Sequence, residues 1–334
     1  MNKIIYDGII SSLQAYGGVT VYFSEILKRL SSESFNLIEY NKNNKLVQNN
    51  ILQKPRLCER YRDCRLGDIS GDVFHSTYYR IPDNKNIAIV TTVHDFTYEK
   101  YVSGPSKWIH TWQKYKAINN SNKVICVSQN TANDLLTYCN YKEENLHVIY
   151  NGVSDVYRPF DMELRASTNK VIFIGARKGY KNFDKAVLAV SLAKHLELVI
   201  VGGGALDEKE KKLLDSKLPN RYHLSGKLSE EELNALYNEA YCLLYPSEYE
   251  GFGIPVLEAM KAACPVIAMA RSSLPEVAGD AALLVNSSDP NVLFEALKTI
   301  DHERYKYINL GLKQATKFSW DKCFNETLSI YNKL

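Results

Sequence analysis

Residues Lys3 to Leu30 read KIIYDGIISSLQAYGGVTVYFSEILKRL. A short apolar run, Lys3–Tyr6, is followed by a Gly17-Gly18 turn. Val19, Tyr22, Phe23, Ile26, Leu27 and Leu30 then fall at the i, i+3, i+4, i+7, i+8, i+11 spacing of one helix face. A buried strand, a glycine turn and an amphipathic helix make the opening unit of a parallel sheet with crossover helices.

The same alternation continues outward from this unit. Strands are expected at Asp72–His75, Asn86–Val93, Lys123–Ser128 and His147–Tyr150, with helices near Ser106–Asn119 and Asn130–Tyr138. A stretch without clear period, Ser154 to Thr168, contains Arg158-Pro159 and reads as a linker. The pattern then restarts. Strands are expected at Lys170–Ile174, Leu196–Val201, Arg221–Leu224, Tyr241–Tyr245, Pro265–Ala268 and Ala281–Val285, with helices beginning near Asn182, Asp207, Ser229, Pro255 and Asp289. This predicts an α/β chain of two Rossmann-like, doubly wound domains at residues 1–158 and 169–318. The tail from His302 reads as helical, and residues 319–334 carry Trp320, Phe324, Leu328 and Tyr331 on one face, placed to pack back on the first domain. Two such domains facing each other would form a cleft at the carboxyl ends of their strands, where open α/β sheets bind ligands.

Length and composition agree. The 334 residues suit two domains, and 45% hydrophobic with 24% charged residues excludes a disordered or fibrous chain. The net charge of +3 does not point to nucleic acid. From Lys42 to Arg65, however, seven basic residues stand against two acidic ones. That stretch reads as a solvated loop and helix, with contact to anionic lipid as the sharper alternative. No signal peptide or apolar membrane span is visible. Seven cysteines, four of them in or beside apolar runs, suit a reducing cytoplasm, and a peripheral position at the inner face of the membrane is compatible with the basic stretch. Trp108 and Trp112, with Ile109 and Tyr115 nearby, read as a buried helix face, with acceptor or lipid contact as the alternative.

Two segments carry the chemistry. In Pro246-Ser-Glu-Tyr-Glu250-Gly-Phe-Gly-Ile-Pro255-Val-Leu-Glu258 a buried strand ends in a loop whose glycines permit close backbone approach, and Pro255 begins a helix. The helix N-terminus suits a phosphate, and Glu250 in the loop with Glu258 in the first helical turn can accept hydrogen bonds from hydroxyls. Gly251, Phe252, Gly253 and Ile254 belong to this donor-side loop. Phosphate with hydroxyls suggests a sugar nucleotide, and nothing argues for carboxylates opposed across a scissile bond as in a glycosidase. In Phe173-Ile-Gly175-Ala-Arg177-Lys178-Gly-Tyr-Lys181-Asn182-Phe183 three cations follow a strand end, and Arg177 with Lys181 could neutralise a departing pyrophosphate. A solvated basic turn is the bland alternative. Gly202-Gly203-Gly204 lacks the third glycine of a dinucleotide fingerprint, since Asp207 stands in its place, so the run reads as a turn.

Glu250-Gly-Phe-Gly-Ile-Pro-Val-Leu-Glu258 resembles the E-x(7)-E motif of the family 4 retaining glycosyltransferases of GT-B fold, and the order of elements is similar over nearly the whole chain. Gly17-Gly18-Val19, Val93-His94-Asp95, Val127-Ser128, Tyr150-Asn151-Gly152-Val153, Arg177 through Asn182, and Leu274-Pro-Glu-Val-Ala-Gly-Asp-Ala281 agree in order. The resemblance implies that Arg177 and Lys181 hold the donor diphosphate, Glu250 contacts the transferred sugar and Glu258 binds the ribose. It also implies that Gly17 and Gly18 approach the donor from the first domain and that His94 lies near the transferred sugar. A satisfied strand-end histidine is the plain alternative for His94. Charge stabilisation rather than a side-chain nucleophile would then dominate, with no metal or cofactor, since no Asp-x-Asp motif or His/Cys cluster is present.

His94-Asp95 together with Leu274–Asp280 is similar to mannosyltransferases using GDP-mannose, so the expected reaction moves mannose to a saccharide or lipid-linked saccharide in bacterial O-antigen or capsule synthesis. Alternatives are a UDP-sugar-dependent family 4 enzyme, a non-catalytic sugar-nucleotide-binding partner and a GT-B-fold epimerase. Starch- and glycogen-type synthases share the fold but are usually longer.

Overall fold

A computed structural model of the protein describes residues 2–14, 17–41, 46–47, 50–160, 169–177 and 179–334. Lys42 and Lys45 of the basic stretch, residues 161–168 of the linker, and Lys178 lie outside them. The chain divides into a unit of Met1–Gly152 with Trp320–Leu334 and a unit of Val153–Ser319.

The first unit is built on a parallel sheet of β1 (Ile4–Asp7), β2 (Phe35–Glu39), β3 (Ile51–Leu52), β4 (Val73–Ser76), β5 (Ala88–Val93), β6 (Lys123–Cys126) and β7 (Leu146–Val148), in the order β3-β2-β1-β4-β5-β6-β7. Its helices are α1 (Ile10–Leu13), α2 (Gly18–Leu27), α3 (Thr97–Tyr101), α4 (Pro105–Asn119) and α5 (Gln129–Tyr138). β1 is buried at all four positions and pairs β2 on one side and β4 on the other. Burial on both faces is why Ile4–Tyr6 reads as an unbroken apolar run rather than an alternating one, with the buried Asp7 closing the strand.

In the second unit, β8 (Lys170–Ile174), α6 (Phe183–Leu192), β9 (Glu197–Val201), α7 (Glu208–Lys217), β10 (Tyr222–Gly226), α8 (Glu230–Glu239), β11 (Cys242–Tyr245), α9 (Ile254–Lys261), β12 (Val266–Met269), α10 (Leu274–Ala278), β13 (Leu283–Val285), α11 (Pro290–His302) and α12 (Arg304–Ala315) follow in order. Its parallel sheet runs β10-β9-β8-β11-β12-β13. Asp207 and Ser229 close capping boxes with Glu210 and Glu232, which is why α7 and α8 begin where they do. Asp207 is therefore a helix cap, and each glycine of Gly202-Gly203-Gly204 has positive φ, as a tight turn requires.

The expected tail helix is two helices, α12 and α13 (Trp320–Tyr331). α13 belongs to the first unit. The Tyr331 hydroxyl lies 2.8 Å from the Tyr6 hydroxyl and 2.7 Å from His75 Nδ1, and Arg29 Nε lies 2.7 Å from Asp321 Oδ1.

Three expectations change. Residues 153–158 belong with the second unit, because Ser154 Oγ donates to Glu230 (3.0 Å) and the Arg158 amide donates to Asn234 Oδ1 (3.0 Å). Glu258 is not in the first helical turn, since α9 already begins at Ile254. Trp108 and Trp112 do not form a buried face: the buried residues of α4 are His110, Gln113, Lys114, Ala117 and Ile118. Lys114 can be buried there because its Nζ donates to Glu99 Oε2 (2.8 Å) and to the Asp95 carbonyl (2.9 Å).

Candidate functional site

In an open parallel sheet the chain leaves in opposite directions from two adjacent strands, and the loops at their carboxyl ends part to leave a binding crevice. In the second unit those strands are β8 and β11. The two segments singled out in the sequence, Gly175–Asn182 and Pro246–Gly253, are the loops that follow them. Strand order therefore joins residues about seventy positions apart into one site.

The joint is made by side chains. Lys181 Nζ forms an ion pair with Glu250 Oε1, and the ammonium also lies 5.4 Å from the ring centroids of Tyr180 and Tyr245. Asn182, in left-handed conformation at the start of α6, donates from Nδ2 to the Pro246 carbonyl (2.9 Å) and to Glu248 Oε1 (3.1 Å). The Glu248 amide donates back to the Tyr180 carbonyl at 2.9 Å.

The loop after β11 is held from its other side by two residues the sequence reading passed over. Ser272 Oγ accepts from the Glu250 amide (2.8 Å) and donates to the Glu250 carbonyl (2.7 Å). Ser273 Oγ lies 2.9 Å from the carbonyls of Glu250 and Phe252. Both stand just ahead of Leu274-Pro275-Glu276, and a pair of small hydroxyl residues beside a proline-started helix was the available signal. Gly253, at φ 100°, has a backbone conformation that strains any side chain, and a Cβ there would stand 2.8 Å from Leu274 Cδ2 where α9 begins.

Glu258 projects from α9 toward two tyrosines. The Tyr237 hydroxyl lies 3.5 Å from Glu258 Oε2, and Tyr157 also bonds the carboxyl. Burial pushes the Glu258 carboxyl up to about 7, against the opposing pull of these hydroxyls. Such a group can switch between accepting and donating hydrogen bonds near neutrality. Tyr157 and Tyr237 were not identified from sequence, because tyrosines in apolar runs carry no distinguishing pattern.

Arg177 faces the glycine turn. Its Nη1 donates to the Gly202 carbonyl (3.0 Å), its Nη2 to the carbonyls of Gly204 (3.2 Å) and Ala205 (2.6 Å), and its Nε lies 3.0 Å from Glu210 Oε1. The side chain is 3% exposed. Arg177 thus fixes the loop after β9 against the loop after β8.

His94 and the Gly17-Gly18 pair lie in the first unit. His94 follows β5, and its ring stands edge-on to Tyr22 (5.2 Å) and Phe23 (6.1 Å) of α2, the helix that Gly17 caps. Its Nε2 is buried with no hydrogen-bond partner among the described residues. Burial first, then the Lys114 charge, hold the imidazole down at about 4, so it is neutral at physiological pH. No group of three or more His, Cys, Asp or Glu able to hold a metal occurs among the described residues. None of the helices described is long and apolar enough to cross a membrane.

Residues 159–314 match the family described as glycosyl transferases group 1, and residues 66–156 match glycosyltransferase family 4. The chain is 26% identical over 315 residues to the O-antigen chain mannosyltransferase B of Escherichia coli, covering 85% of this chain and 82% of that one. It is 31% identical over 224 residues to the MMP alpha-(1->4)-mannosyltransferase of Mycolicibacterium hassiacum, covering 63% of this chain and 54% of that one. Among solved structures, sucrose-phosphate synthase from Thermosynechococcus elongatus aligns with TM-score 0.79 at 18% identity, covering 100% of this chain and 99% of that one. Anabaena HepE in complex with UDP and glucose aligns over 100% of both chains with TM-score 0.77 at 14% identity. These two likenesses establish the fold, GT-B.

Proposed function

We propose that this chain, whose residues 159–314 match glycosyl transferases group 1 and whose residues 66–156 match glycosyltransferase family 4, transfers mannose from GDP-mannose, with retention at the anomeric carbon, to a saccharide or lipid-linked saccharide of a bacterial surface polysaccharide. The observation that carries the reading is the Lys181–Glu250 pair at the point where the second sheet reverses strand order. One cation for the diphosphate and one carboxylate for sugar hydroxyls stand side by side where the fold binds ligands.

In this reading the bond between the anomeric carbon and the diphosphate oxygen breaks toward an oxocarbenium-like state, the acceptor hydroxyl oxygen bonds that carbon from the face the diphosphate leaves, and the hydroxyl proton passes to the departing phosphate oxygen. The charge left on the diphosphate is met by Lys181, by Arg177 once a phosphate oxygen replaces one of its turn carbonyls, and by the N-terminal end of α9. Glu250 orients the sugar. Gly251, Phe252, Gly253 and Ile254 lie along the donor, and Glu258 accepts from the ribose hydroxyls. His94, neutral and with a buried acceptor or donor to offer, is assigned to the transferred sugar, and Gly17 and Gly18 to the close approach of backbone. The chemistry calls on no metal or other cofactor. The mannosyl donor is supported by the names of the relatives, and the protein is assigned to the cytoplasm, where nucleotide sugars are available.

A UDP-sugar is the second reading, favoured by the UDP and glucose bound in the HepE structure. A thermal-shift and hydrolysis panel of GDP-mannose, UDP-glucose, UDP-galactose, UDP-N-acetylglucosamine and GDP-fucose, run on wild type and Lys181→Ala, tests both. Stabilisation by GDP-mannose alone, lost in the variant, supports the proposal, and stabilisation by a UDP-sugar replaces the donor. Binding without turnover in the presence of saccharide acceptors supports a non-catalytic partner, and free sugar with inverted configuration at a ring carbon supports an epimerase. A folded protein that responds to none of the donors overturns the reading.

A further inference from the structure

The burial of Lys114, His110 and Gln113 turns the aromatic side of α4 outward. Trp108 is 77% exposed, Trp112 is 56% and Ile109 is 46%, one helical turn together, whereas the third tryptophan, Trp320, is 3% exposed. Lys116 Nζ lies 5.6 Å from the Trp112 ring centroid and 2.6 Å from Asp63 Oδ1. That ion pair, with the bond from Gln113 Nε2 to the Arg60 carbonyl, lays the segment Leu57–Arg65 beside α4. There Leu57 is 83% exposed.

Charge is one-sided over the same face. Apart from the buried Lys114, residues 51–65 and 105–119 contain seven Lys and Arg against two acids. Of the acids, Asp63 is paired with Lys116, and Glu59 is buried between Arg56 and Arg80. Lys54, Arg62 and Arg65 are exposed.

We propose that this face docks the first unit onto an anionic lipid bilayer, with Trp108, Ile109, Trp112 and Leu57 entering the headgroup layer and Lys54, Arg62 and Arg65 contacting lipid phosphates. The choice of occupant follows from composition. Protein interfaces enrich aromatics but deplete lysine at the core, whereas tryptophan bordered by lysine and arginine, with no free acid among them, is the composition of a helix lying in a membrane interface. Bilayer binding needs neither donor nor turnover, so its failure and the failure of the transferase reading are separable.

The test is co-sedimentation of the full chain with phosphatidylglycerol-rich vesicles and with pure phosphatidylcholine vesicles, together with tryptophan emission and quenching by brominated lipid. Wild type is expected to sediment with the anionic vesicles only, to lose binding as salt is raised, and to show blue-shifted, quenched emission. Trp108→Ala/Trp112→Ala and Arg62→Glu/Arg65→Glu each weaken binding by roughly tenfold or more, while donor-induced thermal stabilisation is unchanged. All four side chains are exposed, and the two pairs of substitutions lie on different segments, so a folding defect in one leaves the other to decide. Absence of anionic-vesicle binding, binding unaffected by both variants, or binding with unshifted emission overturns the proposal. So does a self-associated wild type that ignores vesicles and becomes monomeric on Trp108→Ala/Trp112→Ala, which would assign the face to a second copy of the chain.

Discussion

Lys181 and Glu250, 69 residues apart, form an ion pair between the loops that follow β8 and β11. Neither residue lies in an α-helix, Lys181 closing a short 3-10 turn, Gly179–Lys181. Each is carried on the loop of one of the two strands flanking the reversal of the sheet, so the pair exists only because β8 and β11 are neighbours.

Replacing Lys181 removes the cation assigned to the diphosphate and leaves Glu250 without this partner. Lys181→Ala is expected to lower turnover by about a hundredfold or more, the scale seen when one group facing a developing anion is lost. Lys181→Arg should recover part of it. Wild-type turnover in Lys181→Ala, measured by nucleotide release, removes the lysine from the donor site.

Glu258 sets a pH dependence. Its folded pKa, about 7, lies above the ordinary 4.5, so the unliganded fold holds a proton that the unfolded chain has released. The associated stability is present below the ordinary value and fades as pH rises through about 7. A ribose donating to the carboxylate binds the ionised form, so donor affinity should rise over the same interval. Glu258→Gln should flatten both trends, measured by calorimetric titration and by melting on either side of neutrality. An unchanged slope in the variant would move the titration to another group.

Gly203 has φ 75°, and a Cβ there would stand 2.4 Å from Arg177 Nη1 and 2.8 Å from the Gly175 carbonyl oxygen. Gly203→Ala is expected to destabilise the second unit by about 1–3 kcal/mol through backbone strain and displacement of the guanidinium. Chemical denaturation of the variant measures this, and a wild-type midpoint would mean that the turn tolerates a side chain.

Arg80 is buried between Asp7 (Nη1 to Oδ1, 3.0 Å) and Glu59 (Nη2 to Oε1, 2.6 Å). Arg80→Met leaves Asp7 buried without this cation and should cost about 3–5 kcal/mol. Adding Asp7→Asn should return part of the loss. Equal stability of the single and double variants would show that the carboxylate finds other compensation.

Burial holds three histidines of the first unit low, His75 and His110 at about 3 and His94 at about 4, against an ordinary 6.5. Each must remain neutral in the fold while the unfolded chain takes up protons. The stability they carry is therefore complete above 6.5 and declines as pH falls toward 4. His94→Gln should reduce the slope of melting temperature against pH in that window, and an unaltered slope would place the titration elsewhere.

Where local signals were strong, the sequence was legible. β8 occupies the expected residues 170–174, and α7 and α8 begin one residue after Asp207 and Ser229, near which helices were expected to start. β2 and β3 were not read. β2 is five residues interrupted by Asn36, β3 is two exposed residues, and both are strands because β1 offers β2 an edge and β2 then offers one to β3. α4 was misread for the opposite reason. Its core face is largely polar, and a buried lysine is stable only beside Glu99 and the Asp95 carbonyl, which no periodicity records.

The sequence by itself determined most of the succession of strands, helix starts and glycine turns, β2 and β3 excepted, because those depend on residues within a few positions of each other. It also determined the two donor-side segments, since their glycines and charges are contiguous. The tertiary structure alone decided that Lys181 meets Glu250, that Ser272 and Ser273 clamp the motif loop, that Tyr157 and Tyr237 enclose Glu258, and that Arg177 spans the glycine turn. These contacts join residues distant in the chain, and the order of strands in the sheet, rather than any local preference, brings them within hydrogen-bonding distance.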